Sequence, residues 1–318
     1  MNVKKVACIG SGVIGASWGS LFAAKGYAVS CHATREASLT TARERVERTL
    51  DSMAGLGLFG LEEAKEAKDR VSYTTDYTAA LQGADFIQEN TPDSIDLKIK
   101  VLKEIETHAS PATVIASSTS NLLISDIAKH ARNPERCIGA HPYNPPHLMP
   151  LVEITRTQQT NSETINTAVS FFRSCNKVPV VLQKESLGFV SNRLQMALYR
   201  EAVNIVMNGI CTVEEVDNVT TFGPALRWAI LGPNMLFQLG GGEGGLKGLL
   251  TQLKDSGDNL IADLSTISYQ PQEWLDIGQA GVVEEMKNMP EYIGNTQADI
   301  AAFRDRMLIQ LLKMHHKL

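Results

Sequence analysis

Apolar positions fall into two patterns: short alternating runs through the first half of the chain and long helical stripes through the second. The stretch 3–9 predicts a strand, Gly10-Ser11-Gly12-Val13-Ile14-Gly15 opens a helical pattern to about Lys25, and 27–32 alternates as a second strand. Together they make a βαβ unit. Further strands are predicted at 85–88, 113–117, 137–140, 151–154 and 178–182, with helical segments between most of them. That alternation implies an α/β fold, a doubly wound, mostly parallel sheet with helices on both faces. From Ser186 the texture changes. Phe189, Val190, Leu194, Ala197, Leu198, Ile205 and Val206 recur at helical spacing, and no convincing strand follows. The expected organisation is an α/β domain over 1–185 and an all-α domain over 186–318. The final stripe, Ile300, Phe303, Met307, Leu308 and Leu311, is expected to be core or dimer seam, and the glycines of 240–245 predict a loop.

Composition fits two cores: 318 residues, 43% hydrophobic and 20% charged. A net charge of −5 leaves no basic excess to neutralise a phosphate backbone, which argues against general nucleic-acid binding and keeps small soluble ligands open. No apolar run approaches the length of a membrane span and the N-terminal run is too short for a secretory signal, so a cytoplasmic protein without membrane contact is expected. Five cysteines, odd in number and without a closely spaced pair, suggest reduced thiols rather than disulfides or a zinc site.

A G-x-G-x-x-G pattern is weak evidence alone, but here it lies between a strand and a helix at the start of a βαβ unit. Gly10 would permit the tight turn, Gly12 the approach of a pyrophosphate and Gly15 close packing of helix on strand, while the helix N-terminus offers N–H groups to phosphate. A Rossmann-type dinucleotide domain follows, with Val13 and Ile14 as further candidate contacts. Where a ribose-binding acid is usual at the end of the second strand, the chain reads Ala33-Thr34-Arg35, with no carboxylate before Glu36. Ala33 removes a charge that would repel a 2′-phosphate, and Thr34 with Arg35 can bind one, so the cofactor is expected to be NAD or NADP, with NADP suggested. Glu36 reaching the ribose is the open alternative.

Four further segments bear on chemistry: 116–120 ending at Ser120, His141-Pro142-Tyr143-Asn144-Pro145, Leu151-Val152-Glu153, and Gly188-Phe189-Val190-Ser191-Asn192-Arg193. In order and spacing they resemble the 3-hydroxyacyl-CoA dehydrogenase family. The resemblance implies that His141 is the general acid/base, Glu153 its orienting carboxylate, and Ser120 and Asn192 hydrogen-bonding partners of the reacting oxygen. It places Asn144 beside His141 and the nicotinamide, and makes Ser118, Asp93 and Lys98 candidate cofactor contacts. The family commonly has Glu where this chain has Asp93, and Lys98 reads equally well as an exposed charge on a first helical turn. Residue chemistry agrees independently. Oxidising an alcohol by hydride transfer requires removal of the hydroxyl proton, and imidazole titrates near working pH.

Within the family, 85–89 and Gly223-Pro224-Ala225-Leu226-Arg227-Trp228-Ala229 look more like the subgroup containing lambda-crystallin, L-gulonate 3-dehydrogenase and L-carnitine dehydrogenase. That implies a small free 3-hydroxy acid, with Arg227 suited to grip its carboxylate by two parallel hydrogen bonds. Trp228 is expected in the core, with a place in the pocket, even cradling a quaternary ammonium, as the alternative. A 3-hydroxyacyl-CoA substrate, and a non-catalytic structural role like that of a crystallin, stay open. The resemblance also implies a homodimer and an active site in the cleft between the domains.

Overall fold

The computed structural model describes residues 3–317. Eight strands form one sheet: β1 (Lys5–Ile9), β2 (Ala28–His32), β3 (Val71–Thr74), β4 (Phe86–Glu89), β5 (Val114–Ser117), β6 (Cys137–Pro142), β7 (Leu151–Arg156) and β8 (Val178–Val181). Their spatial order is β3-β2-β1-β4-β5-β6-β7-β8. All neighbours are parallel except β6 and β7. The short connection 143–150 explains that exception, because a parallel return needs a crossover of a dozen or so residues. The seven strands expected from the pattern all occur, within two residues at each end. β3 was not expected: of its four residues only Val71 is buried, so its sequence carries no clear alternation.

The strands alternate between two apolar layers, as a sheet covered on both faces requires. On one side Val6 and Cys8 of β1 join Trp18 and Phe22 of helix α1 (Val13–Ala24) and Phe171 and Phe172 of the helix Ser162–Ser174. On the other, Ala7 and Ile9 join Ile87, Ile115 and the helix Ile95–His108 through Val101, Leu102 and Ile105. Trp18 stacks on Phe22 at 5.1 Å between ring centroids, and each such fully buried ring contributes about 1.5–3 kcal/mol through area removed from water.

The chain divides into two compact units: one runs to Val190 and includes the stretch from Leu308 on, the other is Ser191–Met307. The first boundary lies beyond the expected 185 because residues 188–190 are tied back to the sheet, the Val190 N–H donating to Glu153 Oε1 at 2.8 Å. Phe189 and Val190 accordingly precede the helix Ser191–Met207 rather than forming its first turn. Of the last helix, Gln297–Met314, the buried residues are Ile309 and Leu312, neither of them in the expected stripe, whose Ile300, Phe303, Leu308 and Leu311 are half-buried and whose Met307 is 48% exposed. The elements of the second unit are all helices, and it packs Val203, Val213 and Trp274 into a small core. No helix among the described residues is long and apolar enough to cross a membrane.

Candidate active site

The glycine turn closes β1 and opens α1. Gly10 has φ +89°, and a Cβ on it would lie 2.9 Å from the Asn90 and Thr91 backbone, so both its conformation and its surroundings demand glycine. A Cβ on Gly15 would meet the Gly10 carbonyl oxygen at 1.9 Å, which is how α1 seats directly on the turn. Gly12 is different, with no atom within 4 Å of the corresponding position. It faces a cavity of about 900 Å³ whose lining includes Gly10, Ser11, Gly12, Val13 and Ile14. The Ser11 hydroxyl is buried with no protein partner, and no side chain caps the free N–H groups of α1. Unmet donors around an open glycine fit the pyrophosphate of a dinucleotide.

At one end of this cavity β2 delivers His32, Ala33, Thr34 and Arg35. His32 packs against Tyr77 at 3.9 Å between centroids with the rings tilted by 32°; burial holds its imidazole below the ordinary range, partly offset by the Thr75 main chain and Asp76. Glu36 does not line the cavity. Its Oε1 accepts from the Thr75 hydroxyl at 3.3 Å. Helix α2 (Glu36–Gly55) presents Ser38, Thr41 and Arg45 to the same cavity. Those three were missed in the sequence, although their spacing of three and four places them on one helical face.

At the other end the cavity meets Asn90, Asp93, Ser118 and Ser120. Ser118 Oγ accepts from Gln88 Nε2 (2.8 Å) and Trp18 Nε1 (3.2 Å) and donates to Asn90 Oδ1 (2.7 Å). Asp93 Oδ2 accepts from the Ser120 N–H (3.0 Å), the Ser120 hydroxyl (2.9 Å) and the Asn121 N–H (3.2 Å). Burial pushes the Asp93 carboxyl up, but the bonds from Ser120 and Thr119 and the charge of Lys98 outweigh it and hold the group below its usual range. Lys98 is not an exposed charge. It is 1% exposed, and its ammonium donates to Glu89 Oε2 (2.9 Å), Glu89 Oε1 (3.2 Å) and the Thr91 carbonyl (2.9 Å), with Asp93 Oδ1 at 3.6 Å. Glu89 also accepts from the Ser117 hydroxyl at 2.6 Å.

His141 and Glu153 stand directly opposite one another on the antiparallel pair β6–β7, which is why twelve positions in sequence become a side-chain contact. Nδ1 of His141 lies 3.1 Å from Glu153 Oε2, both side chains being buried. A carboxylate at Nδ1 fixes the tautomer with its proton there and leaves Nε2 as the basic nitrogen. The Phe189 ring packs parallel to the imidazole at 4.9 Å, from a backbone with φ +53° that follows Gly188 at φ +73°. This turn aims Phe189 at the histidine and the Val190 N–H at its carboxylate. The apolar spacing predicts Phe189 in a helical stripe, whereas the structure places it in this turn. The adjacent Gly188 was the available signal of a turn.

The connection 143–150 is held on two sides. Lys177 Nζ donates to the carbonyls of Pro146 and Met149 (2.7 Å to the latter), and the His147 N–H donates to Ser17 Oγ of α1 at 2.9 Å. Asn144 lies exposed in this connection. Asn192 and Arg227 belong to the second unit, Asn192 half-buried at the start of the helix Ser191–Met207 and Arg227 exposed on the short helix Leu226–Trp228. Trp228 is 43% exposed, which corrects the expectation of a core aromatic. Its helix is a single short turn with no buried residue.

Comparison with known proteins gives two adjoining matches, the NAD binding domain of 3-hydroxyacyl-CoA dehydrogenase over residues 5–186 and the C-terminal domain of 3-hydroxyacyl-CoA dehydrogenase over 188–276. An L-carnitine dehydrogenase of Streptomyces coelicolor is 36% identical over 312 residues, 98% of this chain and 95% of the relative. A 3-hydroxyacyl-CoA dehydrogenase of Gibberella moniliformis is 33% identical over 319 residues, 100% of this chain and 96% of the relative. Among solved structures, an NAD+ dependent dismutase, 5-formyl-3-hydroxy-2-methylpyridine 4-carboxylic acid 5-dehydrogenase, superposes with a TM-score of 0.80 at 28% identity, covering 99% of this chain and 98% of that one.

Proposed function

The chain belongs to the 3-hydroxyacyl-CoA dehydrogenase family, and from that premise we propose that it oxidises the C3 alcohol of a small free 3-hydroxy acid, or reduces the matching ketone. It is a nicotinamide-dependent oxidoreductase. The observation that carries the chemistry is the buried His141–Glu153 pair set in register across β6 and β7. A nicotinamide dinucleotide, held at Gly10, Ser11, Gly12 and the start of α1, supplies the hydride acceptor or donor. Everything else falls to the chain. His141 Nε2 takes the proton of the substrate hydroxyl during oxidation and returns it during reduction, while Glu153, fixed by the Val190 N–H, stabilises the imidazolium that forms. Ser120, oriented by Asp93, and Asn192 are the hydrogen-bonding partners of the reacting oxygen. Lys98 acts by holding Asp93 and Glu89 rather than by direct contact with the cofactor, because its donors are already engaged. Asn144 and Ser118 frame the nicotinamide. Both NAD and NADP are accepted, the latter through Thr34 and Arg35 in the absence of an acid at Ala33.

Arg227, exposed and cationic, is the residue for a substrate carboxylate, and the relative's name makes L-carnitine the first compound to assay. A 3-hydroxyacyl-CoA is the second reading, favoured by the fungal relative that spans this chain from end to end. Turnover of a panel of free 3-hydroxy acids, L-carnitine included, against acetoacetyl-CoA reduction separates the two; activity confined to the thioester defeats the free-acid reading. The intact proton-transfer pair weighs against a purely structural role. A homodimer formed through the helical unit is supported by its large exposed apolar side chains, among them Leu194, Leu198, Phe222 and Leu226, and light scattering would report a monomer if this were wrong. Five unpaired thiols support a reducing, cytoplasmic setting.

A further inference from the structure

Helix α2 lays a cationic, hydroxyl-bearing face along the end of the cavity where β2 finishes. Ser38, Thr41 and Arg45 follow one another at helical spacing on the face that lines the same cavity as Arg35. Neither guanidinium is in an ion pair among the described residues, whereas nearby Arg43 lies over the Tyr73 ring and Arg70 bonds Glu66. Asp93 is the single carboxylate among the described lining residues, and it is engaged with Ser120, on the side away from β2. The one acid beside Arg35 in sequence, Glu36, is held by Thr75. Arg35 itself precedes the first turn of a twenty-residue helix whose leading N–H groups have no side-chain cap. Two unpaired guanidiniums, the Ser38 hydroxyl and a positive helix end, beside a Thr41 hydroxyl that donates to the Ala37 carbonyl, form an anion subsite with no protein anion to fill it among the described residues.

We propose that this subsite takes a phosphomonoester on the adenosine ribose, making the protein select 2′-phosphorylated dinucleotides over unphosphorylated ones, with Arg45 as the second guanidinium and the specificity-determining residue beside Arg35. The inference rests on the reading of the cavity as a dinucleotide site and adds to it the class of dinucleotide. Arg45 donates from a planar fork to the phosphate oxygens, Arg35 and Thr34 close the opposite side, and Ala33 leaves room without repulsion.

The test is direct binding to the full chain without substrate, by quenching of tryptophan fluorescence. NADPH should bind at least about tenfold more tightly than NADH, the scale of one charge-assisted contact. Adenosine 2′,5′-bisphosphate should displace NADPH at concentrations where 5′-AMP and inorganic phosphate do not. In R45A the NADPH-to-NADH preference should fall about tenfold and in R45K by less, because lysine keeps the charge and loses the fork. Thermal melts check that both variants fold like the parent. Equal affinity for the two cofactors, an R45A variant that weakens both in proportion, or inorganic phosphate competing as well as the bisphosphate overturns the proposal. Selective NADPH binding with no hydride transfer to any hydroxy acid or thioester would instead sink the proposed reaction and leave this subsite standing. Failure of every dinucleotide to bind would remove both.

Discussion

Two buried pairs of an acid and a base lie in the sheet-bearing unit, one on the strand pair β6–β7 and one between a helix and β4, and on the proposed reading they serve opposite ends. His141–Glu153 joins β6 to β7, while Lys98–Glu89 joins the helix Ile95–His108 to the end of β4. In the first pair the carboxylate meets only one ring nitrogen and the other stays available for proton transfer. In the second the ammonium is surrounded by Glu89 and the Thr91 carbonyl, with Asp93 beyond, and no donor is left over. An unsaturated partner can do chemistry; a saturated one fixes geometry. On the proposed reading the same Coulombic attraction gives a proton shuttle in one place and a brace for Ser120, through Asp93, in the other.

Removing His141 is the largest test of that contrast. H141A should lower turnover by roughly 10²–10⁴-fold, about 3–5.5 kcal/mol of barrier, with dinucleotide binding retained. Steady-state kinetics beside a cofactor titration measures both, and retained turnover removes His141 from the reaction. K98M should show the reverse profile. Taking away the cation leaves Glu89 buried and unpaired, a loss of about 3–5 kcal/mol in folding stability, which a thermal melt registers as a fall of several degrees. A K98M variant that melts like the parent would show that the pair is not a brace.

E153Q sharpens the first half of the comparison. The amide oxygen can still accept from the Val190 N–H, so the turn keeps its anchor, but the charge that stabilises an imidazolium is gone and the tautomer at Nδ1 is no longer enforced. Turnover should fall by roughly 10–10³-fold with little change in melting temperature. A fall in stability as large as that expected for K98M would place Glu153 among the structural pairs instead.

How much of this was legible in the sequence follows from how local each signal is. β1, the glycine turn and α1 are set by neighbouring residues, and the positions expected there are the ones found. His141 and Glu153 were readable because one short connection and one antiparallel pairing convert a fixed spacing into a contact. Lys98 read equally as a cofactor contact or a surface charge, since its burial depends on β4 delivering Glu89 from another element. Arg45 was invisible for a similar reason: its helical face was plain, but which wall that face would line is decided by the packing of α2. The glycines of 240–245 illustrate the converse. The pattern predicts a loop, yet one helix runs through Gly240, a single tight turn covers Gly242–Gly244, and the next helix starts at Gly245.

The second unit supplies a pair of two acids, with no cation bonded to it among the described residues, and it carries the smallest expected effect. Burial, the charges of Asp217 and Glu214 and a bond with Asp217 push the Glu285 carboxyl up to about 6 from 4.5. Because the folded chain holds this proton more tightly than the unfolded one, the group's stabilisation is complete below about pH 4.5 and is lost as the pH rises through about 6. Above that range Glu285 is an anion facing anions, partly screened by solvent and salt. E285Q removes the charge, so it should melt about a degree or two above the parent at pH 8, and the gap should close by about pH 4. Added salt should narrow it as well. A gap that is the same at both pH values would mean that packing, not repulsion, sets the difference. A parent that is the more stable at pH 8 would show that Glu285 has a cation after all, and the unit would then resemble the Lys98–Glu89 region rather than oppose it.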